Sequence, residues 1–388
     1  MRMRKIAVVS GKRGGFGAML PLLKKIEDDP TMQLILIVTD QHLYKSFGST
    51  VSEVEKWLPI SYKVDLQQSG DSSLDRVQAI GNAVSQIGDV LNESKPDVLL
   101  ILGDRGEILG SVIAAINLGI PVAHIQGGDV SGCVDEFVRH AITKMSHIHF
   151  PSTQIAANNI LNMGEESWRV HPVGDCHIDE MIAGNFTSPE ILSEKYDLDM
   201  SKPIFLVLQH SVTTEPEKSA KHSLELIEAL KEFEVQSIIV YPCSDHGYQG
   251  IVDSIHLLDD CSWAKIHKNI EAYDFWGLQN IASAFIGNSS AGLIETPFFK
   301  LPSVTIGSRQ QGRERSENAI SVEPVKKDIV KAINQCLYDS NYLERVKNCS
   351  QPFGDGTSWK KIHQVLSTVN FDEKLFDKKL IFREKDNL

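Results

Sequence analysis

Long apolar runs, excess positive charge and paired cysteines are what this 388-residue chain lacks. No hydrophobic stretch approaches the roughly 18 residues needed to cross a bilayer. The basic start leads into only four apolar residues, Ile6 to Val9, before Gly11, too few for a signal-peptide core. The expectation is a cytoplasmic protein with no membrane partner. Lys and Arg number 39 against 51 Asp and Glu, and the formal charge of -12 repels a polyanion, so nucleic acid is a disfavoured partner. A small phosphate ligand needs only a few arginines and is not excluded. The six cysteines, Cys133, Cys176, Cys243, Cys261, Cys336 and Cys349, show no C-x-x-C spacing, which argues against a zinc site or a redox pair and for reduced structural thiols.

What is present is an ordinary globular composition, 42% hydrophobic and 23% charged, at a length that suggests two domains. Short β-rich runs alternate with helical segments, the pattern of crossover units around parallel sheets. In the first half Ile6–Val9, Leu34–Thr39, Asp97–Leu102, Pro121–Ile125, Ile148–Phe150 and Arg169–Val173 read as strands, with helices over 18–26, 73–92, 107–117 and 134–145. In the second half Ile204–Leu208, Val235–Tyr241, Ala284–Ile286 and Ser303–Ile306 read as strands, with helices over 223–232 and 269–278, from Ser290, and over 325–337. The expected fold class is α/β, two doubly wound Rossmann-like domains facing across a cleft. Their expected spans are 1–177 and 178–365, with a tail, 366–388, that packs back on the first. Ligands of such sheets bind beyond the carboxyl ends of the strands, so the loops that follow strands carry the interest.

Ser10-Gly-Lys-Arg-Gly-Gly-Phe-Gly17 joins a strand to a helix, where free N–H groups and the forked Arg13 suit an anion; a plain tight turn uses the same glycines. It has neither the G-x-G-x-x-G nor the Walker spacing. Gly103-Asp104-Arg105 brings a carboxylate and a guanidinium to a strand end, able to move a proton or equally to form a local ion pair. Gln126-Gly-Gly-Asp129 leads to Asp135-Glu136 and then to Arg139 and His140. It is an acid/base cluster, or else Asp135 and Arg139 form a surface i,i+4 pair. His210 ends a strand, followed by hydroxyls. Gly287-Asn288-Ser289-Ser290-Ala-Gly292 suits a diphosphate, with Glu295 placed for a ribose, although a serine N-cap needs the same residues. Gly307 to Arg315 supplies Arg309, Arg313 and Arg315.

In this order the loops resemble the hydrolysing UDP-N-acetylglucosamine 2-epimerases of sialic acid and related nine-carbon sugar synthesis. The resemblance runs from Lys5 to about Leu337. It implies a GT-B-like pair of domains, UDP held mainly by the second, no cofactor or metal, and a homodimer or homotetramer. It also implies elimination of UDP to a glycal and addition of water, releasing N-acetylmannosamine. Asp104 and Asp135 would share proton abstraction and return. Arg13, His210, Ser289, Ser290 and Arg313 would stabilise the leaving group, and Glu295 would hold the ribose. Arg105, Gln126, Glu136, Arg139, Gly287, Asn288 and Arg309 complete the expected substrate contacts.

Two departures stand out. Gln126 occupies a position where the family often has Glu or His, and an amide cannot exchange protons, which passes acid/base duty to Asp129 or Asp135. The first loop keeps Arg13 but has Gly14-Gly15-Phe16 where an acid is usual. That change makes a 2,4-diacetamido-trideoxyhexose, UDP- or GDP-linked and of the legionaminic acid route, an alternative substrate. A non-hydrolysing epimerase, a GT-B glycosyltransferase and an inactive nucleotide-sugar sensor are the competing readings.

Overall fold

The computed structural model describes residues 2–44, 50–68, 70, 72–130, 135–243 and 245–382, and divides into two compact α/β units. The first comprises 1–129, 135–179 and 353–388; the second comprises 130–134 and 180–352. Each unit carries a six-stranded sheet in which every strand pair is parallel.

The first sheet holds β1 (Arg4–Ser10), β2 (Met32–Thr39), β3 (Tyr62–Val64), β4 (Val98–Leu102), β5 (Val122–Ile125) and β6 (Ile148–Phe150), in the order β3-β2-β1-β4-β5-β6. Alternate residues feed two cores. Ile6, Val8, Leu34, Leu36, Val98 and Leu100 pack on one face, while Ala7, Val9, Ile35, Ile37, Leu99 and Ile101 pack on the other. Strands apolar on both faces need helices on both sides. Truncating one of these leucines to alanine is expected to cost about 2–5 kcal/mol.

The second sheet holds β7 (Phe205–Leu208), β8 (Ser237–Val240), β9 (Ala264–His267), β10 (Ala284–Gly287), β11 (Ser303–Ile306) and β12 (Ala319–Val322), in the order β12-β11-β10-β7-β8-β9. Counted within each unit, the two orders are the same. Chain order reverses between β1 and β4 in one sheet and between β7 and β10 in the other, and those switch points are where open α/β sheets bind ligands.

The structure departs from the expectation in several places. The first helix starts at Arg13, so Gly14 to Gly17 lie in its opening turns. Phe16 is buried against the first core and stacks edge-on against His42, and that packing overrides the poor helix propensity of the glycines. The run 169–173 makes only one bridge, His149 to Val170, after a 3-10 turn over Ser167–Arg169. The helix expected from Ser290 is a single turn, Ala291–Ile294, and Glu295 follows it. The chain returns to the first unit at Phe353 rather than at residue 366. Asp179 caps the returning helix, Ser358–Thr368, accepting the Ser358 and Trp359 N–H groups at 3.1 and 3.0 Å, and Ile362 and Leu366 enter the first core. The five described cysteines are free thiols; Cys133 lies outside the described residues. No described helix is long and apolar enough to cross a membrane.

Candidate active site

In the first unit three of the proposed acids gather around one cation. Arg139, 4% exposed on the helix Asp135–Met145, is ion-paired to Asp104 and donates from Nη1 to the Asp129 carbonyl at 2.9 Å. Burial opposes the guanidinium's charge, but the combined field of Asp104, Asp129 and Asp135 outweighs it and holds the pKa above the usual arginine value. The expected i,i+4 partner of Asp135 is therefore shared with the loops after β4 and β5. Glu136 instead faces His140 at 3.6 Å along the helix.

The loop after β4 is pinned from below. His124 on β5 lies 2.8 Å from the Gly103 carbonyl through Nε2, with Thr143 at 3.3 Å from Nδ1. Burial depresses its pKa to about 3, so the ring is neutral and Nε2–H donates. Gly128 has φ 82°, and any side chain there would meet the Ala156 carbonyl oxygen at 2.3 Å, which explains why the chain turns on glycine.

Arg105, expected on the substrate, is ion-paired within the first unit. Its Nη2 holds Asp40 at 2.7 Å and its Nε holds Glu107 at 2.8 Å, both carboxylates being buried. Burial raises the Glu107 pKa, partly offset by Arg105. Arg13, at the start of its helix, is ion-paired to Glu53. Gln126, with φ 64°, donates from Nε2 to Asp175 Oδ2 at 2.7 Å. Asp175 and its neighbour His177 were missed from sequence. The signal was Gly174-Asp175 directly after an apparent strand, the same rule that picked out the other loops.

In the second unit His210 and Asn288 lock the ends of β7 and β10 together. Asn288 Oδ1 accepts the His210 N–H at 2.6 Å, and its Nδ2 donates to the His210 carbonyl at 2.9 Å. The Cys243 N–H donates to His210 Nδ1 at 3.1 Å, which leaves the ring proton on Nε2 as a donor. Gly287, at φ 143°, leaves no room for a side chain, which would stand 2.0 Å from the Leu208 carbonyl oxygen. Ser289 and Ser290 follow at the start of the short turn, and Ser289 Oγ accepts from Ala291 N at 3.4 Å. Gln310 Nε2 and Arg309 Nη1 reach the Asn288 carbonyl at 3.1 and 3.4 Å, and Arg313 holds Gln310 Oε1 at 3.0 Å. Arg309 also faces Asp245 at 3.7 Å. Glu295 is buried and accepts from Gln279 Nε2 at 2.5 Å, a partner that the sequence did not suggest. Serines, a histidine Nε2–H and arginines are thus gathered near a sheet's switch point, a set of donors of the kind that suits an anion. Among the described residues no group of three or more His, Cys, Asp and Glu side chains is placed to hold a metal ion.

The UDP-N-acetylglucosamine 2-epimerase family profile matches residues 24–367, and the chain belongs to that family. A UDP-N,N'-diacetylbacillosamine 2-epimerase (hydrolyzing) of Legionella pneumophila is 34% identical over 379 residues, 97% of this chain and 99% of the relative. A UDP-N-acetylglucosamine 2-epimerase of Neisseria meningitidis serogroup B is 33% identical over 336 residues, 86% of this chain and 87% of the relative. Among solved structures, a UDP-GlcNAc 2-epimerase from Neisseria meningitidis bound to UDP-GlcNAc superposes with TM-score 0.82 at 20% identity, covering 94% of this chain and 100% of that one, a likeness of fold. The chain is an enzyme of the UDP-sugar 2-epimerase class.

Proposed function

We propose that this chain is a hydrolysing 2-epimerase of a UDP-linked 2-acetamido sugar, and that the sugar is N,N'-diacetylbacillosamine, a 2,4-diacetamido-trideoxyhexose. The reaction rests on one observation, the gathering of Asp104, Asp129 and Asp135 about the buried Arg139 at the carboxyl end of a parallel sheet. The carbon-2 proton of the sugar is weakly acidic, so its removal needs a carboxylate held in a fixed direction while the bond to the diphosphate breaks. Arg139 fixes that direction. The departing charge needs donors already in place, and Nε2–H of His210 with Ser289, Ser290, Arg309 and Arg313 supplies them on the second unit. Glu295 takes the ribose hydroxyls. Water then adds to the glycal, and the free 2-epimer and UDP are released.

The sugar assignment rests on the first loop. Gly11 to Gly17 contains no carboxylate to accept sugar hydroxyls, and a sugar with an acetamido group at carbon 4 and a methyl group at carbon 6 has fewer of them to offer. The whole-length Legionella pneumophila relative supports the same choice. UDP-N-acetylglucosamine is the second reading, favoured by the Neisseria meningitidis relative.

Mass spectrometry of products from UDP-N,N'-diacetylbacillosamine, UDP-N-acetylglucosamine and their GDP counterparts, run in heavy water, tests both parts. The expected result is UDP and a 2-epimer carrying deuterium at carbon 2, made fastest from the diacetamido sugar. An unlabelled product would reject elimination; faster turnover of UDP-N-acetylglucosamine would overturn the sugar.

A further inference from the structure

Inversion at carbon 2 through a glycal uses two proton carriers, one to take the proton and another to return one from the opposite face. Gln126, on the loop after β5 and three residues before Asp129, cannot be the second, since an amide neither gains nor loses a proton near neutral pH. Around its side chain the structure holds a group that can.

Asp175, 1% exposed, accepts four hydrogen bonds. Gln126 Nε2 and Ser152 Oγ donate to Oδ2 at 2.7 and 3.1 Å, and the His177 backbone N–H and Nδ1 approach Oδ1 at 2.9 and 2.8 Å. Gln126 Nε2 lies 3.3 Å from the same Nδ1. An amide N–H and an imidazole N–H cannot both point at one another, so the shorter contacts decide the protons: Gln126 and His177 Nδ1–H both donate to Asp175. The basic nitrogen of His177 is then Nε2, on a ring that is 22% exposed in contrast to the buried carboxylate behind it. Asp175 is held below the ordinary carboxylate range, its burial outweighed by His177 and by the hydrogen bonds it accepts, and remains an anion. A buried anion on Nδ1 orients an imidazole and stabilises its protonated form. A carboxylate at position 126 would stand directly against Asp175 Oδ2, which gives the glutamine a physical reason. Of the other carboxylates on the helix that carries His177, Asp179 is engaged by Ser358, and Glu180 accepts from Asn185 Nδ2 at 2.9 Å.

We infer that His177, oriented by Asp175, is the proton carrier that replaces an acid at position 126; the inference rests on the hydrolysing elimination proposed above. The Asp104 cluster takes the carbon-2 proton as the carbon 1–oxygen bond breaks and its electron pair leaves with UDP. The His177 imidazolium gives its Nε2 proton to carbon 2 of the glycal. The water oxygen bonds to carbon 1, and the water's proton passes to the released diphosphate. Exchange of the remaining protons with solvent restores the carboxylate and the imidazolium.

The test is His177→Asn in the full chain. The asparagine amide can occupy the place of Nδ1–H and keep the bond to Asp175 while the carrier at Nε2 is gone. Formation of the 2-epimer is expected to fall about 10²–10⁴-fold, with the melting temperature unchanged and with unsaturated sugar released alongside UDP, because elimination outlives proton return. His177→Gln is expected to behave alike. A wild-type rate of 2-epimer formation in either variant overturns the assignment. So does an equal fall in UDP release and 2-epimer with no unsaturated sugar, the mark of a structural role. If the wild-type chain releases no UDP from any nucleotide sugar, the hydrolysing reading fails in that arm alone, and this inference falls with it.

Discussion

Arg139 and Asp104 are ion-paired across 35 residues of sequence, and the guanidinium is almost wholly buried while the carboxylate keeps about a fifth of its surface exposed. The asymmetry matters. The cation is fixed by the helix and the Asp129 carbonyl, so it can aim a carboxylate that remains partly exposed.

Asp104→Asn keeps the size of the side chain and removes its ability to take a proton. Turnover is expected to fall about 10²–10⁴-fold, with UDP affinity unchanged by titration calorimetry. Arg139→Met leaves the carboxylates without their shared cation, and its melting temperature should drop as well, since breaking a buried pair costs about 3–5 kcal/mol. Undiminished turnover in Asp104→Asn would remove this residue from the chemistry.

His210 carries the complementary prediction. If its Nε2–H donates to the diphosphate, His210→Phe removes that one donor from the anion site. UDP should bind about tenfold more weakly, the equivalent of roughly 1.4 kcal/mol, and turnover should fall with it. Unchanged UDP affinity would place the leaving group elsewhere.

Acid should unfold the first unit through its histidines. Burial pushes His42, His147 and His149 down to about 4 and His124 to about 3, against an ordinary 6.5. Because the folded pKa values are depressed, the unfolded chain takes up protons first as pH falls. Stability is thus fully present above about 6.5 and declines below it by about 1.4 kcal/mol per pH unit for each such group until the folded values are reached. Glu165, lowered to about 2 because bonds from His149, Lys144 and Lys378 outweigh its burial, adds a further loss below its ordinary 4.5. Urea midpoints measured from pH 7 down to 5 should decline steadily; a flat profile would contradict it.

The strands that carry the site were legible because their apolar runs are covered on both faces and have no competing period. The strands that escaped notice, β3, β9 and β12, are three or four residues long, and the four residues of β9 are all half-buried, with Lys265 and His267 among them. At sheet edges and flanks the pattern is weak because one side meets water. Gly103-Asp104-Arg105 was found from position alone, yet position could not divide the labour of its two charges. Asp40 lies 65 residues from Arg105, and only tertiary structure brings it there. Likewise Gln126 looked like a missing acid until Asp175 stood beside it. Local sequence proposes where charges gather; long-range partners decide which of them are free for chemistry.

The returning chain offers a last prediction. Arg169, fully buried, donates to four backbone carbonyls: Nη1 to Leu375 at 2.8 Å and His147 at 3.2 Å, Nη2 to Lys374 at 3.1 Å and Asp377 at 3.2 Å. Its Nε holds Glu166 at 2.7 Å. Three of those carbonyls belong to the segment 374–377, so one guanidinium pins it to the first unit. Lys378 adds bonds to the Lys144 and Ser146 carbonyls, both at 2.6 Å, and an ion pair with Glu165 at 2.9 Å. An ammonium on a flexible stem cannot span the same set of acceptors as a planar fork. Arg169→Lys should therefore release the segment nearly as fully as Arg169→Met, with faster hydrogen exchange over residues 372–378 and a loss of roughly 2–4 kcal/mol in stability. Phe382→Ser, at a side chain 87% exposed, should change neither. Retained protection of the segment in Arg169→Lys would mean that Lys378 and the apolar contact of Leu375 hold it without the fork.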